Sequence, residues 1–538
     1  MVAGSLATIL IADGAAALEF VFRPAAGTGQ TAIDGFNAAG NLWVARLSDP
    51  VKLVIDIDFR PLDPGVLGET ASEALQASYI DFRAAIADDK TSADDASHNN
   101  MPQSLSILLN RTQNSVHGAG SDDLYSDSDG DANNTTIRIN RANAKALRIL
   151  AADDPAPDAS ITFSSDFRWD FDPSDGIEPN SFSFIAVAAH EIGHALGFVS
   201  GVDILDLNSA PAGPFFRDDQ LAFVTGADTL RISAESVAQG LGVIDWAADQ
   251  RVKYFALGAP TNVAGGFSTG RQWGDGQQAS HWKDDLGLGL MDPTVAPGEH
   301  PVITALDLRL LDIIGYDLTP SVNAAHQLSV AGNQGESMAT SSPRVVGAVA
   351  GQTVDSQTVQ AAPNAPALAF STSPDVPVLE LRYEGGLIKN PDPMPFVRVY
   401  GDGQVKVHYP TYHVKAGDYS VTLSPEELKA LLRIFARQEL INTEQLDINA
   451  ARPPANTVEQ SPLSLPNDHG VVSSVTISAQ SITPAGARAP QLLEPKKLSI
   501  PNTAVKAAAR SGNTVLQGFA AGIEELEALS QRPGLVRQ

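Results

Sequence analysis

From Leu18 to about Pro320 short apolar runs alternate with Asp/Gly/Asn-rich turns, the texture of one α+β domain built on a mixed sheet. Apolar positions from Ile33 to Leu47 recur at helical spacing, and VKLVIDIDF (Val51 to Phe59) alternates as a half-buried strand does. A second helix is predicted over Ala74 to Ile86. NTTIRINRANAKALRIL is expected to run from a strand into a helix near Arg141 to Leu150, and ASITFSSDF (Ala159 to Phe167) reads as a further strand. EPNSFSFIAVAAHEIGHALGF is apolar on both sides of its polar centre, which predicts a buried helix capped by Asn180 or Ser181 and ended by Gly197.

Beyond Pro320 the pattern loses its period. Residues 321–375 read as a linker, 376–450 as a small α+β module, 451–513 as a flexible Pro/Ser/Ala-rich segment in which VVSSVTISAQSI could add a strand, and 514–538 as a C-terminal helix, amphipathic around Leu516 to Leu529. Within the module VLELRY is a strand and FVRVYGDGQVKVHY a hairpin turning at Asp402-Gly403. Ser424-Pro425-Glu426-Glu427 has the form of a helix start, with Ser424 as cap. At the other end, residues 1–17 are small and apolar and finish in Ala15-Ala16-Ala17, resembling a signal-peptidase site. The segment lacks a basic start and carries Asp13, so it reads as a signal-peptide remnant on a secreted protein.

Composition narrows the chemistry. The formal charge of −27, from 63 acidic against 36 basic side chains, argues against nucleic acid or an anionic membrane as partner. No apolar run is long enough to span a bilayer. With no cysteine in the 538 residues, thiol catalysis, zinc-thiolate sites and cysteine-based latency are excluded, leaving His, Asp and Glu as metal ligands.

One motif answers to that inventory. His190 and His194 stand four apart on the expected helix, so both imidazoles project from one face and can reach a single ion; Glu191, beside the first, is placed to accept a proton from a metal-activated water. Chance alone gives HExxH in about one or two chains per hundred of this length, so context must decide. Burying two imidazoles and a carboxylate in so apolar a helix costs several kcal/mol unless partners offset it, and a metal does so. A catalytic zinc also needs a third protein ligand, for which Asp203, Glu235 and His281 are the candidates; six residues after His194 stands Ser200, a poor ligand.

HEIGHALGF followed by a long insertion, then SHW and LMDP, resembles the leishmanolysin-like metzincins. Similar bacterial secreted metalloproteases carry HEIGHALGFVSGVD, ASHWKD, GLMDPT and LDLRLLDIIGYDL. The resemblance covers about Leu18 to Pro320, most strongly from Phe163 onward. It implies a metzincin-like zinc protease domain with His190, His194 and His281 as zinc ligands, Glu191 as general base, Gly197 as the helix-ending turn and Met291 as the methionine-turn residue. The absent early third histidine is a departure from many metzincins that leishmanolysin shares. Tyr316 is expected near the methionine turn by analogy.

The function expected is therefore a secreted zinc endopeptidase, monomeric and acting on protein or peptide substrates. An extended substrate would pair with an exposed sheet edge, for which ASITFSSDF is the expected strand. Asp127, Asp129 and Asp131 alternate around Gly130 and could bind calcium, although the loop lacks the closing glutamate of an EF-hand. The competing expectation is a surface adhesion or binding protein with a structural or degenerate zinc domain and recognition through the module after Val376.

Overall fold

The protein is described by a computed structural model covering residues 17–95, 97, 101–209, 215–257, 262–324, 356–360, 367–437, 440, 443, 465–467, 470–483, 491–508 and 512–538. Most of residues 1–17, with Asp13 and Ala15, therefore lies outside the described residues. The architecture is mixed α+β. Its centre is a five-stranded sheet with the spatial order Glu19–Pro24, Lys52–Arg60, Ala159–Ser164, Gly68–Ser72, Leu465–Asn467. The first three strands run parallel; Gly68–Ser72 is antiparallel to Ala159–Ser164, and Leu465–Asn467 is antiparallel to Gly68–Ser72.

Alternation in Lys52–Arg60 turns Leu53, Ile55 and Ile57 into the core, while Asp56 and Asp58 face outward to Arg23 and Arg60. Helices Gln30–Val44 and Phe184–Leu196 contribute to the same core. They approach closely because Gly35 has no side chain: a methyl there would stand 2.5 Å from the Phe184 ring. Phe36, Phe163 and Phe184 interlock edge-on or tilted, with centroids 4.9 to 5.1 Å apart. Each fully buried ring contributes about 1.5–3 kcal/mol. Trp43 Nε1 donates to Ala189 O at 3.0 Å, fixing the second helix along the first.

The expected helix over Ala74 to Ile86 is corrected: Ala74–Ser78 is a strand and the helix is Tyr79–Asp88. Leu75 and Ala77 pair across to Ile139 and Ile137 of strand Thr136–Asn140, and that ladder overrides local helix propensity. A separate core formed by Phe82, Ile107, Ile137, Leu205 and Trp246 makes a second lobe of this unit. The cap of the histidine helix is Ser183, whose hydroxyl accepts from Ala186 N at 3.3 Å; Asn180 and Ser181 lie too early, because Phe182–Ser183 is still extended and pairs with Trp169–Asp170.

The C-terminal module is larger than expected. Its sheet has the order Lys496–Pro501, Val472–Ile477, Pro377–Glu384, Val397–Tyr400, Gln404–Tyr409, Gly417–Thr422, Val536–Arg537, and helices Pro425–Phe435 and Thr514–Ala528 bury Leu432, Phe435, Phe519 and Ile523 against it. Residues 376–450 therefore do not close a core alone, and the segment 451–513, expected to be flexible apart from a strand in VVSSVTISAQSI, supplies the interior strand Val472–Ile477 and the edge strand Lys496–Pro501. The final helix, expected around Leu516 to Leu529, spans Thr514–Ala528, and the rest of the 514–538 segment ends in the short strand Val536–Arg537. Of the expected linker, Ser356–Gln360 and Ala367–Ser371 form an antiparallel strand pair, while 325–355 and 361–366 lie outside the described residues. Among the described residues no helix is long and apolar enough to cross a membrane.

Candidate metal centre

The helix Phe184–Leu196 carries His190, Glu191 and His194, and Gly197 ends it with a φ of 124°, a conformation that favours glycine. His281 arrives from a loop far along the chain. His194 Nε2 lies 3.1 Å from His190 Nε2 and 3.2 Å from His281 Nε2. On the far side of each ring, Nδ1 meets a backbone carbonyl: His190 that of Leu290 at 2.7 Å, His194 that of Phe198 at 2.7 Å, His281 that of Gln278 at 3.3 Å. A carbonyl only accepts, so each Nδ1 carries the proton and each Nε2 turns a lone pair toward the same point. Three converging lone pairs repel one another until a cation sits among them. The group could thus hold a metal ion, and it is the one set of three such side chains among the described residues whose ligand atoms gather closely enough. All four residues are buried, His190 3%, Glu191 0%, His194 0% and His281 1% exposed.

Met291 lies against the helix between the two histidines, and a methyl on Gly193 would collide with its Sδ. The neighbouring Leu290 carbonyl is the one that orients His190. Asp307 anchors this turn: its carboxylate accepts from Leu290 N at 2.8 Å, Met291 N at 3.3 Å and Trp282 Nε1 at 2.8 Å. The sequence reading did not single out Asp307, although Thr304 and Asp307 have the spacing of a capping box and form one. Tyr316 is buried in the same core as Met291, and its hydroxyl donates to Leu196 O at 2.8 Å.

The other two candidates for third ligand are elsewhere. Asp203 accepts from Ala279 N at 2.6 Å, Ser280 N at 3.1 Å and Ser280 Oγ at 2.5 Å, so it holds the loop that delivers His281. Burial pushes its carboxyl up to about 7. Glu235 pairs with Arg251 at 2.9 Å on the second lobe. Ser200 turns its hydroxyl to Asp228, to which it donates.

Glu191 Oε2 accepts from Thr70 Oγ1 at 2.5 Å, and a methyl on Gly68 would stand 3.5 Å from Oε1. The carboxylate therefore lies beneath the strand Gly68–Ser72. That strand, not ASITFSSDF, forms the rim above the centre: Ala159–Ser164 is interior, paired on both sides. Nothing in GETAS marked it, because the segment lacks the apolar alternation by which strands are read.

The structure does not gather Asp127, Asp129 and Asp131 into a metal group. Asp127 is turned onto the amide groups of Asn133 and Asn134, Asp129 onto Asp131 N, and Asp131 onto Asn133 N. Comparison of the chain with protein-family models, curated proteins and solved structures gives no match.

Proposed function

We propose that the chain is a secreted, monomeric zinc endopeptidase of leishmanolysin-like metzincin type. The convergence of the three Nε2 atoms, each oriented through its Nδ1, carries this reading. Separations of 3.1 and 3.2 Å suit three corners of a tetrahedron around an ion about 2.0–2.1 Å from each nitrogen. An all-imidazole set with no thiolate is that of a catalytic rather than a structural zinc site, and the fourth corner would remain for water or substrate. Zinc bound there would supply Lewis acidity, acidifying a water and polarising the scissile carbonyl.

The chain's own residues do the rest. Glu191 takes the proton from the attacking water and returns it to the leaving amine, with Thr70 holding the carboxylate at the rim. An extended peptide would pair with the outer edge of Gly68–Ser72 in place of Leu465–Asn467, which lies on that edge in the structure. Met291 and Asp307 keep the floor of the site in place without touching the reacting atoms. Burial of the whole centre favours a second reading, a structural metal in a binding protein; Glu191 weighs against it, since a structural site has no use for that carboxylate.

The test is hydrolysis of casein and of a short quenched peptide by the zinc-loaded chain, with metal content measured in parallel. Glu191→Gln is expected to keep one zinc per chain and to lose at least about 10²-fold in rate, and His281→Ala to lose the metal. Equal rates for Glu191→Gln and its parent would end the hydrolase reading.

A further inference from the structure

A segment of the C-terminal module packs against the metal-bearing unit beside the histidine helix and adds to the cover of the metal centre. After strand Pro377–Glu384 the chain makes two successive left-handed turns, at Gly385 (φ 76°) and Gly386 (φ 83°), and passes beside the metal-bearing unit. A methyl on Gly386 would stand 2.7 Å from Val471 and 3.4 Å from Gly65 O, so this end of the segment lies against the approach to the rim strand. The other end lies against the turn that follows Met291: Val295 N donates to Leu387 O at 2.7 Å and Lys389 N to Val295 O at 2.9 Å. Residues 385–389 thus run from beside Gly65, just before the rim strand, to the turn at Val295. Leu387 and Ile388 are packed into the core that contains the histidine helix, and Leu387, Lys389 and His190 share the lining of a cavity of about 180 Å³.

Two further contacts belong to the same closure. Arg271, on the loop leading to His281, donates from Nη2 to Glu384 O at 3.2 Å and lies against Gly385 and Gly470. The outer edge of Gly68–Ser72 is taken by the strand Leu465–Asn467, antiparallel, with Asn467 opposite Thr70 and Leu465 opposite Ser72. An extended peptide would need those same backbone groups.

We propose that the C-terminal module is a built-in inhibitor: the segment Gly385–Lys389 bars the cleft, Leu465–Asn467 occupies the rim edge as a pseudosubstrate, and the centre is latent until both are displaced. The hydrolase reading says what is inhibited; the closure itself is a matter of access to the metal and is tested separately from turnover.

The full-length, zinc-loaded chain is compared with Leu387→Asp/Ile388→Asp, which places two carboxylates in the buried part of the bar. Both are monitored for folding by circular dichroism, for zinc release to an excess of dipicolinate, and for cleavage of a quenched peptide. Zinc release and cleavage are each expected to rise at least about ten-fold in the variant, because both scale with the fraction of open molecules. Faster release without cleavage in either protein would uphold the closure and sink the hydrolase reading. Equal release from two folded proteins would overturn the closure. Should the double aspartate not fold, Val295→Cys/Ile388→Cys decides on a single polypeptide, since the chain has no other cysteine and these residues are bridge partners. The oxidised form is expected to release zinc more slowly than the reduced form, and equal rates would overturn the proposal.

Discussion

The carboxylate of Asp203 reaches the metal centre only through the loop it holds. Three hydrogen bonds from Ala279 and Ser280 fix the backbone that carries His281, so Asp203→Asn, which exchanges an acceptor oxygen for a donor, is expected to weaken zinc binding about 10- to 100-fold without unfolding the chain. Competition against a zinc indicator measures this. At Gly193 the constraint is steric. Met291 Sδ fills the space a side chain would need, and Gly193→Ala is expected to cost about 1–3 kcal/mol in denaturant unfolding through overpacking. HEIGH was legible because its two histidines and glutamate need only helical spacing to be brought together. The bonds that aim the rings were not legible: the carbonyls of Leu290, Phe198 and Gln278 are backbone groups that any residue supplies.

At the scale of elements, one buried ion pair joins the sheet to the helix that follows Thr136–Asn140. Lys145 Nζ lies 2.6 Å from Asp158 Oδ2, both side chains are buried, and the ammonium also donates to Lys52 O and Asp154 O. Lys145→Met removes the positive partner and leaves Asp158 in the core, so a loss of about 3–5 kcal/mol is expected in urea or guanidinium titration. Local elements were read well where local chemistry determines them. Ser424 caps its helix and forms the box with Glu427, and the hairpin turns at Gly403 with a φ of 91°. Elements defined by distant partners were not: Ala74–Ser78 is a strand only because Thr136–Asn140 lies beside it, and Gly68–Ser72 becomes a rim by its place in the sheet order. The extent of the C-terminal module escaped for the same reason: a strand in VVSSVTISAQSI was legible, but its place beside Pro377–Glu384 and the strand Lys496–Pro501 beyond it depend on partners distant in the chain.

Across the whole molecule, the docking of the two units is sensitive to acid. His413 sits at the junction, bridged to Phe167 and with its ring near those of Phe167 and Tyr409, and burial lowers its pKa to about 4. An unfolded or undocked histidine titrates near 6.5, so between about 6.5 and 4 the separated state binds more protons and docking weakens as pH falls. Solvent screening at this partly exposed ring limits the effect to on the order of 1–2 kcal/mol. Thermal unfolding followed from pH 7 to 4 is expected to show a falling midpoint, with His413→Phe flattening the slope. The pairing of Leu465–Asn467 with Gly68–Ser72 has a consequence of its own. Stripping that strand away would leave a row of unsatisfied amides and carbonyls on the outer flank of the principal sheet, an adhesive border on which a second molecule could add its own strand. A released form is therefore expected to pair with its neighbours at concentrations where the intact chain stays single, which light scattering would register.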